Sequence, residues 1–252
     1  MMSKVVIITG ASRGLGKSMA LNLADKGRDI IVTYHSQQQQ ALDVVREIEQ
    51  KGRKAAALKL DIHQAASFDA FIAEVTGTLK TVFGRSDFDY LINNAGSGLF
   101  ASFMETSESQ FMQMMNEHIK APFFLSQKLL PLMVDGGRVL NVSSGLTRIT
   151  YPGFSAYSIM KTAVEALTLY MARELGARGI TVNTVAPGAI ETDFGGGVVR
   201  DTPELNAEFA GMTALGRVGL AQDIGGAVAA ILDDQAGWVN AQRIEVSGGQ
   251  TI

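Results

Sequence analysis

The stretch from Lys4 to Gly16 constrains what this chain can fold into more than any other. Lys4-Val5-Val6-Ile7-Ile8-Thr9 is a short apolar run of β-formers. Gly10-Ala11-Ser12-Arg13-Gly14-Leu15-Gly16 follows at once, and then a helical spacing of apolar residues at Met19, Ala20, Leu23 and Ala24. A strand that enters a helix through a glycine-rich turn sets backbone N–H groups and a helix N-terminus against one point, which suits a pyrophosphate. Glycine permits the tight turn and the close backbone approach. The spacing is G-x-x-x-G-x-G rather than G-x-G-x-x-G. Taken alone, the segment reads equally as an ordinary strand-to-helix turn.

Strands and helices then alternate without a break. Ile30–Thr33 reads as the second strand, Gln39–Gln50 as a helix, Lys54–Leu60 as the third strand and Phe68–Phe83 as a helix. Tyr90–Asn93 and Arg138–Val142 are buried-strand runs flanking a long helix near Ser109–Leu130. Ser155–Gly176 is helical, Ile180–Val185 a strand, Ala221–Leu232 a helix and Arg243–Val246 the last strand. This alternation predicts an α/β fold, a parallel sheet with helices on both faces, and ligands at the carboxyl ends of the strands. Ala189–Arg217 breaks the rhythm: Phe194-Gly195-Gly196-Gly197 is a flexible joint, and the segment reads as a small substrate lid. Gln37–Gln40 reads as the solvated face of a helix start.

The length of 252 residues suits one domain, residues 1–252, with the lid at 189–217 inside it. At 46% hydrophobic and 19% charged residues the mix is that of a soluble globular protein. A net charge of −3 gives no electrostatic case for nucleic acid or an anionic membrane. No run approaches the roughly 20 apolar residues of a spanning helix, and the N-terminus enters the first strand without a leader. Cysteine is absent, which fits a reducing compartment. The expectation is a cytoplasmic protein.

Tyr157 and Lys161 stand four apart on a helix, so the phenol and the ammonium share a face. A phenol at its ordinary pKa of about 10 is a poor acid at neutral pH. A cation held close favours the phenolate and brings the proton nearer to use as a general acid.

Thr9-Gly10-x-x-x-Gly14-x-Gly16, Asn93-Asn94-Ala95-Gly96, Asn116, Ser144, Tyr157-x-x-x-Lys161 and Pro187-Gly188 occur in order, and Ser247-Gly248-Gly249 lies near the end. In this the chain resembles the short-chain dehydrogenases/reductases over nearly its whole length. The resemblance implies a single doubly wound (Rossmann) domain and NAD(P)-dependent interconversion of a carbonyl and an alcohol. It implies Tyr157 as general acid in reduction, Lys161 lowering the phenol pKa and holding the nicotinamide ribose, and Ser144 holding the substrate oxygen, with Ser143 its competitor. Asn116 corresponds to a helix asparagine tied to a water relay; a polar helix irregularity is the plainer reading of it. The implied cofactor contacts are Gly10, Ser12, Arg13, Gly14, Leu15 and Gly16 at the turn, Asp61 and Ile62 at adenine, and Asn94, Ala95 and Gly96 on the adenosine side. Tyr157, Lys161, Pro187, Gly188, Ile190 and Thr192 complete them at the nicotinamide end. A homotetramer or dimer is also implied.

NAD users place a carboxylate at the end of the second strand to bond the ribose 2′-OH. Here that position reads Tyr34-His35-Ser36, and Arg13 in the glycine turn suits a 2′-phosphate, so NADP(H) is expected. His35, His63 and His118 do not cluster with other ligand-type residues, so no metal is expected and each reads as a surface or packing histidine. Met112, Met114 and Met115 read as helix core or subunit contact. Leu99, Phe100, Leu146, Phe154 and Phe194 suggest an apolar substrate pocket. The layout is most similar to the 3-oxoacyl-carrier-protein reductases. Those enzymes carry basic residues before the serine strand, whereas this chain has Val134-Asp135-Gly136-Gly137 and only then Arg138. A free small ketone, a quinone or a sugar therefore stays open as the substrate. The expected function is an NADPH-dependent reductase of a ketone or aldehyde; the alternative is a catalytically idle NADP-binding sensor or scaffold. Epimerisation or dehydration on the same fold is the third reading.

Overall fold

The computed structural model describes residues 3–252. Its order is β1 (Val5–Ile8), α1 (Gly14–Asp25), β2 (Asp29–Tyr34), α2 (Gln38–Gln50), β3 (Ala55–Lys59), α3 (Phe68–Thr78) and β4 (Phe88–Asn93). Then come α4 (Glu108–Met115), α5 (Ala121–Leu129), β5 (Met133–Val142), α6 (Ser155–Leu175) and β6 (Thr181–Pro187). The short β7 (Ile190–Glu191), α7 (Val198–Asp201), α8 (Pro203–Gly211) and β8 (Gly219–Leu220) lead to α9 (Ala221–Ile231) and β9 (Arg243–Val246).

Seven strands form one sheet in the order β3-β2-β1-β4-β5-β6-β9, every pair parallel. Successive side chains of a strand face opposite sides, and both sides of β1 are covered. Val6 and Ile8 pack with Met19, Leu23, Val44, Ile48 and Val228 of α1, α2 and α9. Val5 and Ile7 pack with Phe68, Val75, Leu125, Leu129 and Met171 of α3, α5 and α6. That is why β1 is an unbroken apolar run rather than an alternating one. The chain winds one way from β1 to β3 and the other way from β4 to β9, so a crevice opens where β1 meets β4.

A buried polar ladder crosses the sheet below this crevice. The Asn93 amide donates to Ser126 Oγ and Asn141 Oδ1, at 3.0 and 2.8 Å, and the Asn141 amide donates to Thr168 Oγ1 at 2.9 Å. Thr168 and Thr184 share a 2.7 Å hydrogen bond. Each group is satisfied, as burial demands.

Three elements depart from the sequence reading. The long helix near Ser109–Leu130 is broken by a π-helical turn at Asn116–Lys120. Pro122 has no N–H to give the carbonyl four residues back, so the α ladder is interrupted here. The fifth strand starts five residues early, at Met133, because Asp135-Gly136-Gly137 is a bulged part of it rather than a turn. Ala189–Arg217 is not a plain loop: β7 pairs with β8, and α7 and α8 fill the middle. Gly195, Gly196 and Gly197 all sit at positive φ (+62°, +78° and +80°), so the joint is a run that only glycine takes readily. Gln37–Gln40 is exposed, as read.

Candidate active site

The glycine turn is built against β4. Thr9 Oγ1 accepts from the backbone N–H groups of Asn94 and Ala95, both at 2.9 Å. The Asn94 amide returns to the carbonyls of Thr9 and Gly10, at 2.9 and 3.1 Å. Gly10 and Gly14 hold φ of +64° and +55°. A Cβ on Gly16 would stand 2.4 Å from the Gly10 carbonyl oxygen and 2.7 Å from Asn94 Nδ2. No side chain caps α1, which starts behind Arg13 with Gly14, Leu15 and Gly16 as its first residues, so its leading N–H groups face outward for an anion. The turn thus fits a dinucleotide phosphate.

Around it, Tyr34 is half-buried at the end of β2, with His35 and Ser36 exposed behind it. His35 Nε2 lies 3.6 Å from Asp61 Oδ2, and Asp61 Oδ1 accepts from the His63 N–H at 3.0 Å. Ile62 packs on the α3 side of the core. The Arg13 guanidinium reaches Asp193 at 3.4 Å, and Asp193 is also held by Arg200 at 2.6 Å. Arg13 therefore bridges the glycine turn and the segment that follows β7. Ser12 is half-buried in the turn.

At the carboxyl end of β5, the two serines take different roles. Ser143 Oγ is buried and donates to Glu165 Oε1 at 2.6 Å. Ser144 Oγ accepts from the Leu146 N–H at 3.2 Å and lies close enough to the Tyr157 phenol to pull its pKa down. Burial acts more strongly in the opposite sense and holds the phenol above its ordinary value. Tyr157 is 5% exposed, packed with Met114, Ala156 and Met160 and against Leu99, Leu146 and Phe154.

Lys161 is also buried. Its ammonium donates to the Val142 carbonyl at 2.8 Å and lies 5.6 Å from the Tyr157 ring centroid. Burial pulls the Lys161 pKa down to about 8, with the Glu117 carboxylate opposing. The lysine is thus brought to the phenol as read, but in this structure burial, not Lys161, governs the phenol pKa. The reason is geometric: the ammonium is committed to a backbone carbonyl over the ring rather than to the phenolic oxygen.

Asn94, Ala95, Gly96, Pro187 and Gly188 line the neighbouring strand ends. The Gly188 N–H donates to Val246 O at 3.2 Å and the Ala189 N–H to Gln250 Oε1 at 3.0 Å, fixing the exit from β6. Ile190 is half-buried in β7, and Thr192 Oγ1 accepts from the Phe194 N–H at 3.2 Å. Phe194 then reaches over the site: its ring centroid is 5.7 Å from that of Tyr157. Phe100 and Phe154 meet at 5.4 Å and Tyr151 and Phe209 at 5.6 Å, so the site's entrance is aromatic.

Asn116 opens the π-helical turn, half-buried, and among the described residues its side chain makes no hydrogen bond. The same turn carries two residues that the sequence reading did not place in the site. Glu117 is buried, accepting from Ser97 N–H and Oγ at 2.7 Å each. His118 is buried with its ring edge-on to Tyr157, centroids 5.2 Å apart. Glu165 and Arg243 form a further support: Arg243 Nε donates to Glu165 Oε1 at 2.8 Å, and Arg243 Nη2 to the Ser144 carbonyl at 3.3 Å. Glu165 had a signal, since it continues the row Tyr157, Lys161 at the same spacing of four. Arg243, in the last strand, had none. Among the described residues, no group of three or more His, Asp or Glu is placed to hold a metal ion.

A phosphate cradle at the switch point of a parallel sheet, with a serine hydroxyl at the end of β5 and a tyrosine phenol beside it on α6, fits a class: an α/β oxidoreductase that works with a dinucleotide. The chain belongs to the short-chain dehydrogenases/reductases. The family model described as enoyl-(acyl carrier protein) reductase matches residues 10–251. A hydroxynaphthalene reductase-like protein of Metarhizium brunneum is 34% identical over 98% of this chain and 94% of its own. The 3-oxoacyl-[acyl-carrier-protein] reductase FabG of Staphylococcus aureus is 36% identical over 98% of both. The angucycline C-6 ketoreductase LanV, solved with bound NADP, superposes with a TM-score of 0.93 at 35% identity over 98% of this chain and 95% of its own.

Proposed function

We propose that this protein is an NADPH-dependent ketoreductase, with Tyr157, Ser144 and Lys161 as its catalytic residues. The observation that carries this reading is the convergence of the Ser144 hydroxyl, the Tyr157 phenol and the Lys161 ammonium beside the Gly10–Gly16 cradle. Bound NADPH supplies the hydride. Ser144 donates a hydrogen bond to the substrate oxygen and orients it, and Tyr157 gives that oxygen its proton. Lys161, whose pKa burial lowers to about 8 and which stays mostly protonated near pH 7, orients the nicotinamide ribose and lends positive charge as the phenol proton leaves. Asn116 supports the proton relay from the π-helical turn. Arg13 and the Tyr34–Ser36 corner, which lacks a carboxylate, take the 2′-phosphate. Asp61, Ile62, Asn94, Ala95, Gly96, Pro187, Gly188, Ile190 and Thr192 line the rest of the cofactor.

The substrate class we infer is a planar aromatic ketone. The aromatic entrance of Phe100, Tyr151, Phe154 and Phe194 supports it, as do relatives named for hydroxynaphthalene and angucycline substrates. Carrier-protein delivery is disfavoured because Arg138 is buried, donating to the carbonyls of Ile231 and Asp234 at 3.2 Å each, and presents no surface charge. A cytoplasmic homo-oligomer completes the reading; among the described residues, no helix is long and apolar enough to cross a membrane.

The test is NADPH and NADH oxidation against polycyclic ketones, quinones, acetoacetyl thioesters and keto-sugars, with Tyr157→Phe beside the parent. Turnover with NADPH that falls about 10²–10⁴-fold in the mutant is the expected result. NADPH binding without any turnover sensitive to Tyr157 replaces this reading with that of an idle sensor.

A further inference from the structure

In β9 two charged residues, Arg243 and Glu245, stand two apart, so both face the same side of the sheet. Their side chains are only 26% and 19% exposed. Two further charges meet them there. Arg243 Nε donates to Glu165 Oε1 of α6 at 2.8 Å, and Arg243 Nη1 to Glu245 Oε2 at 3.0 Å. Arg148 closes on Glu245 as a fork, Nε to Oε2 at 2.8 Å and Nη2 to Oε1 at 2.6 Å. Arg148 chiefly, with Ser247 and Arg243 adding to it, pulls the Glu245 carboxyl down to about 2, so it is ionised at any working pH. Two arginines thus balance two carboxylates in one half-buried cluster.

The cluster ends on the turn that carries Ser144. Arg243 Nη2 donates to the Ser144 carbonyl at 3.3 Å and to Thr147 Oγ1 at 3.0 Å. Thr147 Oγ1 itself lies 2.9 Å from the Ser144 carbonyl oxygen and 2.8 Å from Glu165 Oε1. Behind this turn is the corner after β6. A Cβ on Gly145 would stand 3.2 Å from the Pro187 carbonyl oxygen, and one on Gly188 only 2.7 Å from Gln250 Oε1 and 2.8 Å from Ser247 Cβ. The turn, the corner and the segment at Ser247–Gln250 are therefore stacked without a gap. Arg148 ties the outer layers together, since its Nη2 also donates to the Gln250 carbonyl at 2.7 Å while Gln250 Oε1 accepts from the Ala189 N–H at 3.0 Å. Half-buried charge pairs add little net stability, because lost hydration offsets their attraction. What they add is direction: a planar guanidinium fork fixes where its acceptors lie.

We propose that Arg243 is a positioning residue that acts through Ser144: its guanidinium, braced by Glu165 and Glu245, holds the Ser144 carbonyl and with it the register of the Ser144 hydroxyl against the Gly188–Ala189 corner. The hydroxyl assigned to the substrate oxygen and the corner assigned to the cofactor are then held as one unit. A misplacement of about 1 Å in a group that orients a substrate costs on the order of 10²-fold in rate, so a brace on the backbone of this turn reaches the chemistry without touching it. This inference rests on Ser144 and Tyr157 being catalytic residues.

The experiment is a double-mutant cycle on the full-length enzyme: Arg243→Met and Arg243→Lys, each with and without Ser144→Ala, beside Tyr157→Phe. We expect Arg243→Met to lower kcat about 10- to 100-fold, with KM for NADPH within about threefold of the parent. In the Ser144→Ala background the same change lowers kcat less than about twofold, because the group it positions is gone. Arg243→Lys keeps the charge but not the fork, so it keeps the melting temperature and recovers only part of kcat. Hydrogen exchange of the enzyme without cofactor gives a readout independent of turnover: in Arg243→Met the Leu146–Ile149 amides and the Ala189 amide exchange faster, while those of β1 and β4 do not. Equal losses of kcat in both backgrounds mean that Arg243 merely holds the fold, and they overturn the proposal while leaving the ketoreductase reading intact. Parental kcat in Arg243→Met, or unchanged exchange at the turn and at Ala189, overturns it likewise. A fully active Ser144→Ala or Tyr157→Phe overturns the catalytic reading and this inference together. Should Arg243→Met not fold, the cycle runs on Arg243→Lys, whose smaller loss must also vanish in the Ser144→Ala background.

Discussion

Tyr157 and Lys161 are buried together, and burial opposes both of their charged forms: the phenol is held above its ordinary pKa and the ammonium below its own, at about 8. Each therefore sits in its neutral form more readily than in water, and the phenol gives up its proton only where a developing charge on the substrate oxygen takes it. Ser144 and Ser143 divide the remaining work. On the proposed mechanism Ser144→Ala removes a donor to the substrate oxygen, and the expected result is a kcat lower by about 10²–10³-fold with little change in melting temperature. Ser143→Ala instead removes one of three donors to Glu165 Oε1, leaving Thr147 and Arg243, and lowers stability by about 0.5–1.5 kcal/mol, read by urea unfolding. Two pKa shifts also give stability a pH dependence of known sign. His118 titrates at about 2 when folded against an ordinary 6.5, so between those values the unfolded chain holds more protons and stability falls as pH falls, by at most about 1.4 kcal/mol per pH unit. Lys161, at about 8 against 10.5, makes stability rise with pH across that window in the same way. Unfolding series in which His118→Gln flattens the acid limb and Lys161→Met the alkaline rise are the expected results.

The connections around the sheet carry the specificity. α4 starts on a reciprocal cap, Ser107 accepting from the Gln110 N–H while the Gln110 side chain accepts from the Ser107 N–H. Ser107→Ala lowers stability by about 1 kcal/mol without touching the site. The π-helical turn that follows widens and underwinds the helix, and Glu117 and His118 are buried there. In the segment read as a lid, Phe194 lies across Tyr157 and against Gly98, where a Cβ would stand 2.8 Å from Phe194 Cζ. Phe194→Ala raises KM for a polycyclic ketone several-fold, about tenfold at most, and leaves kcat for a small ketone nearly unchanged, because only the larger substrate spans the aromatic rim. In the glycine turn, Gly16→Ala drives a methyl into the Gly10 carbonyl and weakens NADPH binding at least about tenfold by fluorescence titration.

Across the whole molecule, two helices, α5 and α6, each carry exposed apolar side chains. Phe123 and Phe124 of α5 and Ile159, Leu169 and Tyr170 of α6 are each 40% exposed or more. Ile159, Ala166 and Leu169–Tyr170 follow helical spacing, so they form one stripe rather than a scatter. A stripe of this kind suits an interface, and it is the face that the proposed homo-oligomer would bury. Light scattering on Leu169→Glu with Tyr170→Glu is expected to give a smaller species than the parent; equal masses for the two would remove this face from the assembly.

Much of this was readable from residue order alone. The alternation of elements, the Gly10–Gly16 turn, Ser144 and the Tyr157/Lys161 pair are local facts, since a strand run, a glycine turn and a spacing of four on one helix each lie within a few neighbours. Their meeting at the carboxyl ends of adjacent strands follows from the handedness of the connections, which sequence pattern implies. The register of β5 through its Gly136-Gly137 bulge, the folding of the lid into β7, α7 and α8, and the interrupted helix before Pro122 were not readable, because each is settled by partners far away in the chain. So were the chemical details. His118 reads as one histidine among three, and only packing against Tyr157, Gly96 and Ser97 leaves its Nδ1 bare and buried. The acidity of the phenol was likewise beyond reach: residue types announce a tyrosine and a lysine, but desolvation, a property of everything around them, sets where each one titrates.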